Sequence, residues 1–263
     1  MLTERFRKNI LNIITLVHNN DWDWLWVNDG DERSGKSSLS MQILLIAEPK
    51  LNDKVLSADY KPVLSRIAWN FDAWIDVLKT LKPGSVSLYD EASLLGREAM
   101  KEHNLRMIRI LTTVGMRNNL MLMTFPDIYM LDPYIRDGRC RTRGYVYSVD
   151  GERGYVSLWV RRRYPFPRAS GETVWWARAF GTRFSSISNI SNCHEELWEL
   201  YRERDEEAKN KILTGGHPDI KIEITRKLRK EGMSIQKIAG IVGMSHGWVG
   251  NIVKGRKPGG DEA

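Results

Sequence analysis

Residues Gly30-Asp31-Glu32-Arg33-Ser34-Gly35-Lys36-Ser37 satisfy the pattern G-x-x-x-x-G-K-[ST] in full. The flanks constrain the fold further. Residues 24–27, Trp-Leu-Trp-Val, read as a short strand, and residues 38–47 read as a helix. Strand, loop and helix in that order aim backbone N–H groups and a helix N-terminus at anionic oxygens. The pattern therefore predicts an α/β chain with a nucleotide phosphate site. Gly30 and Gly35 let the backbone curl into an anion nest. Ser34 and Ser38 are further candidates for binding the nucleotide, Lys36 reaches the β- and γ-phosphates of ATP, and the Ser37 hydroxyl is a ligand for Mg²⁺. Asp29, Asp31 and Glu32 put three carboxylates beside this site for polyphosphate. They must point away, pair with Arg33 or another neighbour, or contact metal or a partner subunit.

The alternation continues downstream. Residues 4–18 carry Phe6, Ile10, Ile13, Ile14 and Val17 on one helical stripe, and residues 48–65 read as irregular. Residues 66–69 read as a strand, and Asn70 as the N-cap of a helix over 71–81 in which Trp74, Val77, Leu78 and Leu81 are spaced for burial. A strand over 85–89, a helix over 97–114 and a strand over 119–123 ending at Thr124 follow. Strands alternating with helices predict a parallel sheet. Residues 144–149 and 154–160 then alternate like a β-hairpin about Asp150-Gly151-Glu152-Arg153, with a third strand over 173–178 and a charged helix over 193–212.

The strand over 85–89 ends in Asp90-Glu91. An apolar strand ending in a carboxylate is the Walker B arrangement: Asp90 holds Mg²⁺ through its ligands, and Glu91 polarises the water that attacks the γ-phosphate. Thr124, at the end of the next strand, is placed to sense that phosphate.

These residues, with the run from Gly115 through Thr124 and with Pro126-Asp127-Ile128, Leu131-Asp132-Pro133-Tyr134-Ile135-Arg136 and Arg139 to Arg143, resemble FtsK/HerA-type P-loop ATPases, including viral packaging and Zot-like relatives. The resemblance covers roughly residues 20–150. It implies a RecA/FtsK-like core, DNA as partner, and a homo-oligomer in which a hexameric ring would let Arg136, Arg139 or Arg141 act as a finger on a neighbour's ATP. Phe125 departs from the family, which often has Gln after the sensor Thr. AAA+ proteins are a rival class, but they follow the core with a helical lid, whereas this chain continues in β patterning.

Charge and punctuation place a second module. Residues 220–258 hold nine Lys or Arg against two acids, and residues 136–168 nine Arg against three; the remaining chain is net acidic although the total is +7. Two basic segments point to a polyanionic partner. Ser234 and Ser245 read as N-caps and Gly243 as the turn of a helix-turn-helix resembling the tails of resolvases and transcription regulators. Its last helix would enter the major groove, presenting Ser245, His246 and Asn251, while Lys254, Arg256 and Lys257 neutralise phosphates. A protein-docking helical bundle is the alternative for this segment.

The expected organisation is an N-terminal helix (1–19), an ATPase core (20–150), a β-rich basic extension with a helix (151–214), a linker (215–219) and a small all-α DNA-binding domain (220–263). No apolar run reaches the length of a membrane span, and the start of the chain does not read as a signal peptide. Cys140 and Cys193 lack metal-type spacing, which predicts a reducing, cytoplasmic setting. The expectation is a DNA-associated, Mg²⁺-dependent ATPase that couples hydrolysis to DNA translocation, packaging or remodelling. The alternatives are an ATP-switched DNA-binding regulator and an AAA+-like helicase loader or transposition factor.

Overall fold

The strand before the glycine-bounded loop, β1 (Trp24–Gly30), runs into the loop's first glycine, three residues beyond the apolar run that announces it. Its side chains alternate between two cores. Trp24 and Trp26 pack with helix α1 (Glu4–Asn19) and helix α2 (Lys36–Ala47) on one face of the sheet, and Leu25 and Val27 with the helices on the other. A strand buried on both faces reads as continuously apolar, which is the signature of a parallel central strand. The computed structural model describes residues 2–20, 22–90, 97–114, 118–163, 174–184, 192–215, 218–230 and 232–255.

Among the described residues the sheet is seven-stranded and mixed, in the order β2-β3-β4-β1-β5-β6-β7. Here β2 is Ile67–Ala68, β3 Val86–Tyr89, β4 Leu120–Thr124, β5 Cys140–Val149, β6 Glu152–Arg163 and β7 Val174–Arg183. Pairings from β2 through β5 are parallel. The β5–β6 and β6–β7 pairings are antiparallel. The predicted hairpin is therefore not a separate layer: β5 pairs with the loop strand β1, and β6 and β7 extend the same sheet. Because β4 lies between β1 and β3, the loop, Thr124 and Asp90 come to adjacent C-terminal strand ends, where open α/β sheets bind ligands.

Residues 48–65, expected to be irregular, form two short helices, α3 (Pro49–Leu56) and α4 (Lys61–Leu64). Each has proline in its first turn, where the fixed φ favours helix and the missing N–H is not needed. Leu51, Val55, Val63 and Leu64 are buried, so packing holds these helices despite their length. Helix α5 (Phe71–Thr80) starts at Asn70, whose Oδ1 accepts from Ala73 N at 2.8 Å, and buries Trp74 and Leu78. Helix α6 (Arg97–Val114) buries Met107 and Leu111 on the same side of the sheet. Among the described residues no helix is long and apolar enough to cross a membrane.

Helix α7 (Asn192–Gly215) follows the sheet and reaches Gly215, the first residue of the expected linker. The chain divides into two compact units, Met1–Tyr201 and Arg202–Ala263. In the second unit, α8 (Pro218–Lys230), α9 (Ile235–Val242) and α10 (His246–Val253) share a core of Ile238, Ala239, Val242 and Val249, with Ile224, Leu228 and Trp248 packed against it. Ser234 Oγ accepts from Lys237 N and Ser245 Oγ from Trp248 N. Gly243, at φ 64°, makes the turn between them.

Candidate functional site

The loop between β1 and α2 is held by the sheet it interrupts. Gly30 N donates to Pro126 O, Asp31 N to Val146 O, and Gly154 N to Ser34 O, at 3.0–3.2 Å. Gly30 sits at φ +125°, and an added Cβ would overlap the Val146 carbonyl, so β5 permits only glycine there. Beneath the loop, Trp26 Nε1 donates to Asn28 Oδ1 at 2.9 Å, and Asn28 Nδ2 to Ser40 Oγ at 2.7 Å, tying β1 to α2. Ser34 is fully buried and its hydroxyl donates to Asp31 O at 2.7 Å, and Ser38 is buried in the first turn of α2.

Lys36 Nζ donates to Gly30 O at 2.9 Å and Asp31 O at 2.6 Å, so its ammonium lies inside the curl of the loop. Burial lowers its pKa below the ordinary lysine value, and the charges of Asp29, Asp31, Asp90 and Glu32 oppose that shift. Phosphate oxygens at this place would accept the same protons from Lys36 and from the N-terminus of α2.

The three carboxylates around the loop divide by role. Asp29 is 1% exposed and belongs to β1. Arg143 of β5 grips it with Nε at 2.8 Å and Nη2 at 2.7 Å, and Ile128 N donates to it at 3.1 Å. Asp31 accepts from Tyr145 Oη at 3.3 Å and Ser148 N at 3.4 Å, both on β5. Glu32 is exposed. Two of the three thus serve to bind the loop to β5.

Asp90 is 1% exposed at the end of β3. Ser37 Oγ donates to its Oδ1 at 3.2 Å, the Thr124 hydroxyl donates to the same oxygen, and the Tyr201 hydroxyl donates to Oδ2. The structure so brings together Lys36 and Ser37 from α2, Asp90 from the end of β3 and Thr124 from β4. Among the described residues no group of three or more His, Cys, Asp or Glu side chains could hold a metal ion. The donor set instead is one hydroxyl and one carboxylate, which fits Mg²⁺, a cation that keeps waters and phosphate oxygens for its remaining positions. Glu91 lies outside the described residues, as do Arg256 and Lys257.

The arginines expected to reach a neighbour are engaged within the chain. Arg136 grips Asp137 through two nitrogens at 2.9 and 2.7 Å and lies over the Tyr129 ring. Arg139 donates to Asp23 and, at 2.6 Å, to Leu111 O. Arg141 lies over Trp22 and Trp24, at 4.6 and 5.4 Å from the ring centroids. In the second unit, His246 is exposed in the first turn of α10, Asn251 is half-buried, and Lys254 is exposed at its C-cap.

Two residues of the site escaped sequence reasoning. Arg143 was legible only as part of an arginine run; the β5 alternation that sets it beside Tyr145 on one face was the signal to follow. Tyr201 sits in a charged helix, where Leu197 and Tyr201 at i and i+4 mark a short buried stripe. Comparisons of the chain with protein-family models, with curated proteins and with solved structures found no match.

Proposed function

We propose that the chain is a Mg²⁺-dependent ATPase with a RecA/FtsK-like core that couples hydrolysis to movement or remodelling of DNA, working in the cytoplasm as a homo-oligomer. The observation that carries this reading is the convergence of the Ser37 and Thr124 hydroxyls on Asp90, beside the loop whose carbonyls hold Lys36, at the C-terminal ends of adjacent parallel strands. Lys36 and the α2 N-terminus would hold the β- and γ-phosphates. Ser37 and Asp90 would hold Mg²⁺, which when bound neutralises charge on the phosphates. Thr124, oriented by Asp90, would meet the γ-phosphate, and Glu91 would take the proton of the attacking water. The continuation of the sheet into antiparallel β6 and β7, in place of a helical lid, supports the FtsK/HerA branch over AAA+ proteins. The DNA part of the reading rests on the capped helix pair α9–α10 and the two basic segments.

A second reading, an ATP-switched DNA-binding regulator, is favoured by one observation: a residue of α7, the helix that leads into the second unit, bonds to Asp90. Steady-state turnover separates the two. A motor hydrolyses ATP faster when DNA is added, and a switch turns over slowly with or without it. Lys36→Ala should abolish nucleotide binding, and Glu91→Gln should bind ATP yet hydrolyse it poorly. Retained ATP affinity in the first variant removes the site.

A further inference from the structure

Tyr201 is anchored more firmly than packing alone requires. Its ring stacks on Trp198 at 4.9 Å with the planes 5° apart, and its other neighbour Trp69 lies at 5.6 Å. One turn earlier Leu197 is fully buried, and Glu196 Oε2 accepts from Tyr60 Oη at 2.6 Å. With its ring set by two tryptophans and its helix pinned by Leu197 and Glu196, the hydroxyl of Tyr201 has little freedom. That hydroxyl is the residue's only side-chain polar atom, the residue is 3% exposed, and the proton goes to Asp90 Oδ2.

The two oxygens of Asp90 are thereby distinguished. Oδ1 faces Ser37 and Thr124, and Oδ2 faces α7. A carboxylate that must present one oxygen toward a hydrated cation gains from having the other fixed, because rotation about its terminal torsion is otherwise broad. Groups that orient a metal's ligands in this way commonly change metal affinity by about 10- to 100-fold when removed.

We infer that Tyr201 is a positioning residue for the metal-binding carboxylate, holding Asp90 so that Oδ1 is turned to the Mg²⁺ carried by the nucleotide. This rests on the nucleotide reading of the loop. It adds to that reading that α7, which lies outside the loop and the strands β3 and β4, is part of the metal site.

The test is nucleotide binding, measured with a fluorescent ATP analogue on the full chain, as Mg²⁺ is varied and again in EDTA. The proteins are the wild type, Tyr201→Phe and Lys36→Ala. Tyr201→Phe keeps the stacked ring and removes only the donor. It should need on the order of tenfold more Mg²⁺ for half-maximal binding while its affinity in EDTA stays at the wild-type value. A merely structural Tyr201 would weaken binding equally in both conditions, and that result overturns the inference. An unchanged Mg²⁺ requirement overturns it too, as does a lowered one, which would make the hydroxyl a competitor of the metal. Failure of the nucleotide reading looks different: the wild type binds no analogue, or Lys36→Ala binds it as well as the wild type.

Discussion

Arg143 closes a two-pronged ion pair on Asp29, in the residue before the first loop glycine, across the β1–β5 pairing. The side chains are 17% and 1% exposed. Removing one partner of such a pair strands a buried charge, which typically costs 3–5 kcal/mol. Asp29→Asn should therefore destabilise the fold by about 3 kcal/mol. Denaturant unfolding of the two proteins checks this, as a lowered midpoint. Arg143→Lys should recover little of the pair, since an ammonium cannot make the planar fork.

Asp31 carries the opposite expectation. Its bonds to Tyr145 and Ser148 are long and exposed, so Asp31→Asn should leave stability within about 0.5 kcal/mol. It also removes a negative charge from beside the proposed triphosphate site. Titration with a labelled nucleotide should show severalfold tighter binding at low salt, with the gain shrinking as salt is added.

Cys140 is fully buried, and burial pushes its thiol up to about 12 from 9.0. Near neutral pH the thiol is protonated folded and unfolded, so the shift does nothing there. Above 9.0 the unfolded chain releases a proton that the folded chain keeps, so stability contributed by this group falls as pH rises from 9.0 towards 12. In a Cys193→Ser background, iodoacetamide should modify Cys140 only after denaturant is added. Rapid labelling of the native protein would contradict the burial of β5's first residue.

Deleting residues 216–263 removes the capped pair α9–α10 and the second basic segment. Affinity for duplex DNA should drop and its dependence on salt should become shallower, because fewer phosphates are neutralised. Filter binding at several salt concentrations measures both. An unchanged affinity and slope would mean that this segment docks protein.

The sequence by itself determined the features whose causes are local. The loop pattern, the caps at Asn70, Ser234 and Ser245, the turn at Gly243 and the apolar runs of β1, β3 and β4 each depend on neighbours a few residues away. The positions of Asp90 and Thr124 were legible because each ends such a run. Short helices α3 and α4 were not, since their stability comes from burial of Leu51, Val55, Val63 and Leu64 against other elements. Only the tertiary structure decided that β4 separates β1 from β3, and that the hairpin continues the core sheet through β5. It alone gave the loop's carboxylates their roles, Asp29 meeting Arg143 across 114 residues of chain, and it alone brought Tyr201 to Asp90 across 111. A side chain carries no periodic mark of a partner that far away. Strand order and helix docking choose that partner, because each buried carboxylate must find donors once the sheet has closed around it.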